Sequence, residues 1–189
     1  MKQDILPAIR LTLVSLILVS ILYPLLIWGF AQFIGPAQGR AELVYHKGKA
    51  VGAALVGQSF SEGRYFWGRP SAVDYNAAGS AGSNKGPYNP DYLALVQNRI
   101  DSFLVHNPQV AKKDIPAELV TASGSGLDPD ISPTAAKIQI ARISKARGIP
   151  APQLERLIEQ HTQQPLFGLF GPKKVNVLNL NLALIVGQK

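Results

Sequence analysis

Hydrophobic and polar positions are unevenly distributed along the chain. From Leu11 to Ile34 there are 24 residues without a formal charge, and Leu, Ile and Val dominate most of them. As a helix this run is about 36 Å long, enough to cross a hydrocarbon core of about 30 Å with some tilt. A cleaved signal peptide carries a shorter apolar region, of about 7–15 residues, although Pro36-Ala37-Gln38-Gly39 is small enough to keep a cleavage site open. A buried core helix would show a polar face, and none appears before Gln32. The pattern therefore predicts a retained membrane anchor. Tyr23-Pro24 falls mid-span and predicts a kink there. Trp28 and Gln32 lie one turn apart, which suits a helix packed against other helices or a glutamine reaching the interface.

Beyond the Gly35-Pro36 break the periodicity changes. Ala41–His46 and Lys49–Val56 read as a hairpin turning at Lys47-Gly48, and an aromatic, glycine-punctuated stretch with Phe60, Tyr65, Phe66 and Trp67 follows. Ser71 to Asn89 reads as a long loop. Asn89-Pro90 is a helix start, and Leu93, Val96, Ile100 and Phe103 form the predicted core face of a helix running to His106. Leu119-Val120 reads as a short strand. A second helix runs from Ser132-Pro133 to Gly148, with Ile140, Ile143 and Ala146 inward and Lys137, Arg142 and Arg147 largely outward. A third begins near Pro152 with Leu154, Leu157, Ile158 and His161 on one side. In Val175–Ile185, Leu178, Leu180, Leu182 and Leu184 alternate with Asn179, Asn181 and Ala183, which predicts a half-buried strand. The expected architecture is one membrane helix followed by a single α+β domain.

Charge changes this picture little. The net charge is +7 with a pI near 9.7, but the basic residues are dispersed. Only Lys112-Lys113 and Lys173-Lys174 are doublets, and neither lies in a stripe with interleaved aromatics, so a solvated basic surface is preferred over nucleic-acid binding. A basic surface is also compatible with an anionic membrane nearby. Lys2 and Arg10 precede the span and Arg40, Lys47 and Lys49 follow it, so flanking charge leaves the orientation open. The chain has no cysteine, which fits an oxidising compartment without requiring one.

No catalytic constellation emerges. His46, His106 and His161 stand far apart in sequence, without a zinc spacing. Asp128-Pro129-Asp130-Ile131-Ser132 begins like a calcium loop but places Pro133 where glycine is required and Gln139 where a bidentate Glu belongs. The Gly79–Lys85 stretch lacks the phosphate-loop spacing, Gly124-Ser125-Gly126 lacks a third glycine, and no G-x-S-x-G elbow is present. A membrane-anchored serine–lysine hydrolase is excluded by no single motif, but no pairing is visible. An anchored accessory or interaction subunit is the reading that remains.

Several strings, in order, carry a resemblance. They are Tyr23-Pro24-Leu25, Val56-Gly57-Gln58-Ser59-Phe60 and Tyr65-Phe66-Trp67-Gly68-Arg69-Pro70-Ser71-Ala72, then Gly82-Ser83-Asn84 and the run from Pro116 to Asp128. Ile131-Ser132-Pro133, Ala141–Gly148, His161–Leu166 and Val175–Asn181 complete the set. Together they closely resemble the C subunit of the bacterial high-affinity potassium-transporting ATPase, the Kdp system, over nearly the whole chain. The resemblance implies a four-component inner-membrane complex: a potassium-selective channel-like subunit, an ATP-hydrolysing P-type subunit, a small single-span subunit and this one. It implies a non-catalytic accessory subunit, an assembly factor and catalytic chaperone that raises the ATP affinity of the hydrolysing subunit. ATP would then act through the partner, and K+ would be the ion the complex transports. It further implies a short cytoplasmic N-terminus over residues 1–10, the span over 11–34, and a soluble α+β domain over 35–189 outside the cytoplasm.

The same resemblance nominates site residues. A nucleotide role is implied for Gln58 with Gly57 and Ser59, by likeness to a transporter signature loop. This sequence has one glycine before Gln58 where that loop has two, and a structural amide is the competing role. Tyr23 and Pro24, together with Gln32 from its place one turn after Trp28, are candidate partner contacts within the span. Tyr65, Trp67 and Arg69 are candidates for a docking surface, or else core aromatics and a loop anchor.

Overall fold

The computed structural model describes residues 2–187. The chain divides after Glu42 into two compact units. In the first, α1 (Lys2–Ile17) and α2 (Tyr23–Ile34) are joined without interruption through a π-helical turn, Leu18–Leu22. Asp4–Ile34 is long and apolar enough to cross a membrane, with a mean hydropathy of 2.4 in its most apolar window. None of that window is buried within the chain. The wide turn sits where the kink was expected. Pro24 has no N–H and its ring presses on the carbonyl one turn earlier; just before it, the Tyr23 N–H reaches back five residues to the Leu18 carbonyl. Gly35 ends the helix in an extended conformation, 2.5 Å from the Ala31 carbonyl at the point a Cβ would occupy.

The second unit is a mixed α/β domain. It opens with a hairpin, β1 (Leu43–His46) and β2 (Lys49–Ala53), paired antiparallel. Lys47 and Gly48, at φ 50° and 76°, form the tight turn that suits the twist of such a ribbon. Next comes α3 (Pro90–His106), capped by Asn89, whose side chain accepts from the Tyr92 N–H at 3.0 Å. The expected core face of α3 is covered only towards its C-terminal end: Phe103 is buried, Val96 and Ile100 are half-buried, and Leu93 is 52% exposed.

β3 (Asp130–Ile131), β4 (Thr162–Gln163) and β5 (Lys174–Asn176) form a small antiparallel sheet with β5 central. The second predicted helix is two, α4 (Pro133–Lys137) and α5 (Ile140–Arg147), broken at Ile138-Gln139 and stopped by Gly148 at φ 69°. Arg142 of α5 turns inward instead of outward, and Ala146 is exposed instead of inward. The third helix is α6 (Ala151–Gln160).

Two further expectations are corrected. Leu119-Val120 is no strand: Leu119 ends a 3-10 turn, Ala117–Leu119, and Val120 follows it, with both side chains buried. Val175–Ile185 is strand only to Asn176, then helix α7 (Val177–Val186). The Asn176 side chain accepts from the Asn179 N–H at 3.0 Å and so starts a helix there. Buried Val177, Leu180, Asn181 and Leu184 recur at helical spacing, and the alternating leucines are incidental to it. Phe66, Ile131, Ile143, Leu154, Ile158, Val175 and Leu180 meet in one core.

Candidate functional site

The aromatic stretch from Gly63 to Trp67 has no regular secondary structure, yet Phe66 is fully buried. A buried backbone must find hydrogen bonds, and here they come from side chains far away in sequence. The Phe66 N–H donates to Asn181 Oδ1 at 2.8 Å, and Asn181 Nδ2 donates to the Phe66 carbonyl at 2.9 Å. One residue on, the Trp67 N–H donates to Gln139 Oε1 at 2.8 Å while Gln139 Nε2 donates to the Trp67 and Ala135 carbonyls. Two buried amides thus do for this segment what a neighbouring strand would do.

Arg142 completes the clamp. Its guanidinium donates to the carbonyls of Gly63 and Tyr65, to Gln139 Oε1 at 2.6 Å and to Asn107 Oδ1 at 3.1 Å. It also lies 4.1 Å from the centre of the Trp67 ring. Burial lowers its pKa to about 10, which leaves it charged at neutral pH. Arg147 Nε donates to the Arg64 carbonyl at 2.7 Å, and its guanidinium stands over Tyr65. Gln139, Arg142 and Asn181 were not singled out as functional from sequence. The available signal was an amide recurring among leucines at 179 and 181, and a glutamine between two apolar turns.

The nominated residues occupy three places. Trp67 and Tyr65 belong to the clamped segment, both half-buried; the Trp67 indole donates to the Glu62 carbonyl and stands edge-on to Phe103 and His106. Arg69 pairs with Asp128 at 2.9 Å, while its own carbonyl accepts from the Tyr75 hydroxyl. Burial raises the Tyr75 pKa, opposed by the charge of Arg99. Asp128 also accepts from the Asp130 N–H, and Asp130 pairs with Lys174 at 2.6 Å. The two aspartates are thus engaged with backbone and cations of the domain itself.

Gln58 is elsewhere. Its Nε2 donates to the Val51 carbonyl at 3.2 Å and lies across Gly52, where a Cβ would stand 1.6 Å from that nitrogen. The Gly57 N–H donates to the Leu127 carbonyl at 2.7 Å, and a Cβ on Gly57 would come 2.6 Å from the Asp128 oxygen. Gly57 is therefore where two stretches of backbone cross too closely for a side chain. Ser59 is exposed. In the span, Tyr23 is exposed and Gln32 half-buried, and Pro24 follows the π turn.

Phe60, Trp67, Arg99, Phe103 and His106 line a cleft of about 420 Å³ beside the clamp. Arg99 donates to the Val120 carbonyl at 3.1 Å, so its charge is partly used by the fold. Among the described residues no three His, Asp or Glu side chains converge as metal ligands would.

Known proteins match nearly the whole of this chain. The family described as K+-transporting ATPase, c chain (KdpC), matches residues 5–185. The potassium-transporting ATPase KdpC subunit of Bacteroides fragilis (strain YCH46) is 54% identical over 184 residues, covering 96% of each chain. That of Phocaeicola vulgatus is 53% identical over 184 residues, 96% of this chain and 97% of the relative. That of Caldanaerobacter subterraneus is 42% identical over 185 residues, 98% of this chain and 96% of the relative. The match takes in the apolar helix, the clamped aromatic segment and the terminal helix alike, and the chain belongs to the KdpC family, the c chains of the K+-transporting ATPase.

Proposed function

We propose that the chain is a non-catalytic subunit that assembles with a potassium-selective channel-like subunit, an ATP-hydrolysing P-type subunit and a small single-span subunit, and raises the ATP affinity of the hydrolysing one. Family membership over residues 5–185, span included, carries this reading. The effect on ATP is a coupling between sites, with no nucleotide chemistry in this chain. The span lies in the inner membrane with residues 1–10 cytoplasmic and the domain outside. Tyr23, Pro24 and Gln32 face partner helices, and the exposed edges of Tyr65, Trp67 and Arg69 belong to the docking surface over the channel-like subunit. The nitrogen of the Gln58 amide is engaged with Val51, which favours a structural role for it over nucleotide contact.

The decisive measurement is ATP turnover by the assembled complex with and without this chain. Omitting it raises the KM for ATP about 5-fold or more. The isolated chain turns over no ATP; measurable hydrolysis by it would overturn the proposal, as would purification from native membranes without pump subunits. Gln58→Ala is expected to cost about 0.5–1 kcal/mol of stability and to leave the KM for ATP unchanged. A large rise in KM from that substitution alone would restore direct nucleotide contact. A topology reporter fused after Lys189 is expected to read outside.

A further inference from the structure

Between β4 and β5 the chain turns through Pro165–Gly171 and presents Leu166, Phe167, Leu169 and Phe170, which are 63%, 84%, 81% and 66% exposed. Four large apolar side chains at one loop tip are unfavourable in water, and contiguous patches of this kind mark interaction sites. Phe167 adds a second cost, because it holds φ at 54°, a conformation a bulky residue avoids. Among the described residues these side chains find only partial cover.

The backbone of the tip indicates what does. Leu166 and Phe170 exchange hydrogen bonds in both directions at 2.9 and 3.0 Å, the Gly168 N–H donates to the Pro165 carbonyl, and the Leu169 N–H to the Leu166 carbonyl. Four backbone N–H groups, those of Leu166, Gly168, Leu169 and Phe170, are thus satisfied inside the tip, which lowers the cost of moving it out of water. The charges agree. Lys173 and Lys174 stand directly beyond the tip, and of the acidic residues that share their cleft Asp128 is paired with Arg69 and Glu118 accepts from the Ser132 N–H. Lys174 is paired with Asp130, which leaves Lys173, exposed, to meet lipid phosphate. Lastly, the apolar helix Asp4–Ile34, taken as the membrane span of the proposed function, ties the domain covalently to a bilayer, so lipid is present at high effective concentration.

We propose that the Leu166–Phe170 tip inserts into the bilayer interface as a second membrane contact, placing its Phe and Leu side chains below the headgroups and Lys173 among the phosphates. This goes beyond the proposed effect on ATP affinity and is independent of it.

The absence of cysteine makes the test direct. Single-cysteine variants of the full chain, Phe167→Cys and Leu169→Cys, carry an NBD fluorophore in vesicles of phosphatidylethanolamine and phosphatidylglycerol; Lys85→Cys, at an exposed position of the 71–89 loop, is the control. Both tip probes are expected to emit at shorter wavelength than the control and to be quenched several-fold more by nitroxide-bearing lipids. Emission and quenching equal to the control would overturn the proposal. So would a blue shift that appears only in the complex assembled with partner subunits, without lipid quenching, because the tip would then occupy a protein pocket. The two sites check one another, since both lie outside the core.

Discussion

The Gly63–Trp67 segment and the Leu166–Phe170 tip are alike in composition: both are short, aromatic, glycine-bearing and without regular secondary structure. Their fates are opposite. The first buries Phe66 and takes its backbone hydrogen bonds from Gln139, Arg142 and Asn181, at least 72 residues away in sequence. The second bonds four of its backbone N–H groups within itself and leaves its side chains largely outside. Composition alone therefore does not decide whether an aromatic segment enters the core. What decides is whether distant polar side chains are placed to satisfy the backbone once it is buried.

The contrast is broken most directly at Asn181. Asn181→Leu keeps the approximate volume but strips both the donor and the acceptor from Phe66, leaving two buried backbone groups unpaired. Each costs about 1–3 kcal/mol, so a total loss of about 2–6 kcal/mol is expected in denaturant unfolding of the full chain. A loss well under 1 kcal/mol would mean that the clamp does not hold the segment. Arg142→Met comes next. It removes the donors to Gly63, Tyr65 and Gln139 but also relieves the cost of burying a guanidinium, and the site is open enough for water to replace some bonds. About 2–3 kcal/mol is expected by the same measurement.

These distances also explain what the sequence could and could not show. The span was legible because absence of charge is a local property, and so were the Asn89-Pro90 helix start, the Lys47-Gly48 turn and the Gly148 stop, each fixed by adjacent residues. The clamp was not legible, because Phe66 and Asn181 are 115 residues apart and an arginine on a helix reads as solvent-facing until its partners are known. The error at Val175–Ile185 has the same origin. Leucine alternation signals a strand only if one face is solvated, whereas Leu180 and Asn181, adjacent in sequence, are both buried here. For α3 the apolar face was visible, but what covers it was not: Leu93 fits the pattern and stays exposed. Gln58, Gly57 and Ser59 were nominated by resemblance, and the packing of Gln58 against Gly52 depends on the hairpin register.

The smallest effect tests the other side of the contrast. Deleting a phenylalanine side chain from a core costs about 3–5 kcal/mol, and the clamped Phe66 belongs to that class. Phe167→Gly should behave otherwise. The side chain is 84% exposed, so little buried area is lost, and glycine relieves the left-handed strain at φ 54°, worth about 1–2 kcal/mol. Against this, glycine adds about 0.5–1 kcal/mol of unfolded-state freedom. Unfolding of the detergent-solubilised chain should therefore shift by no more than about 1 kcal/mol in either direction. A loss near the core value would mean that Phe167 packs within the domain, and the tip would then be a second buried segment instead of the clamp's opposite. A neutral result leaves the aromatic ring unexplained by folding, so its role must lie in what the tip touches.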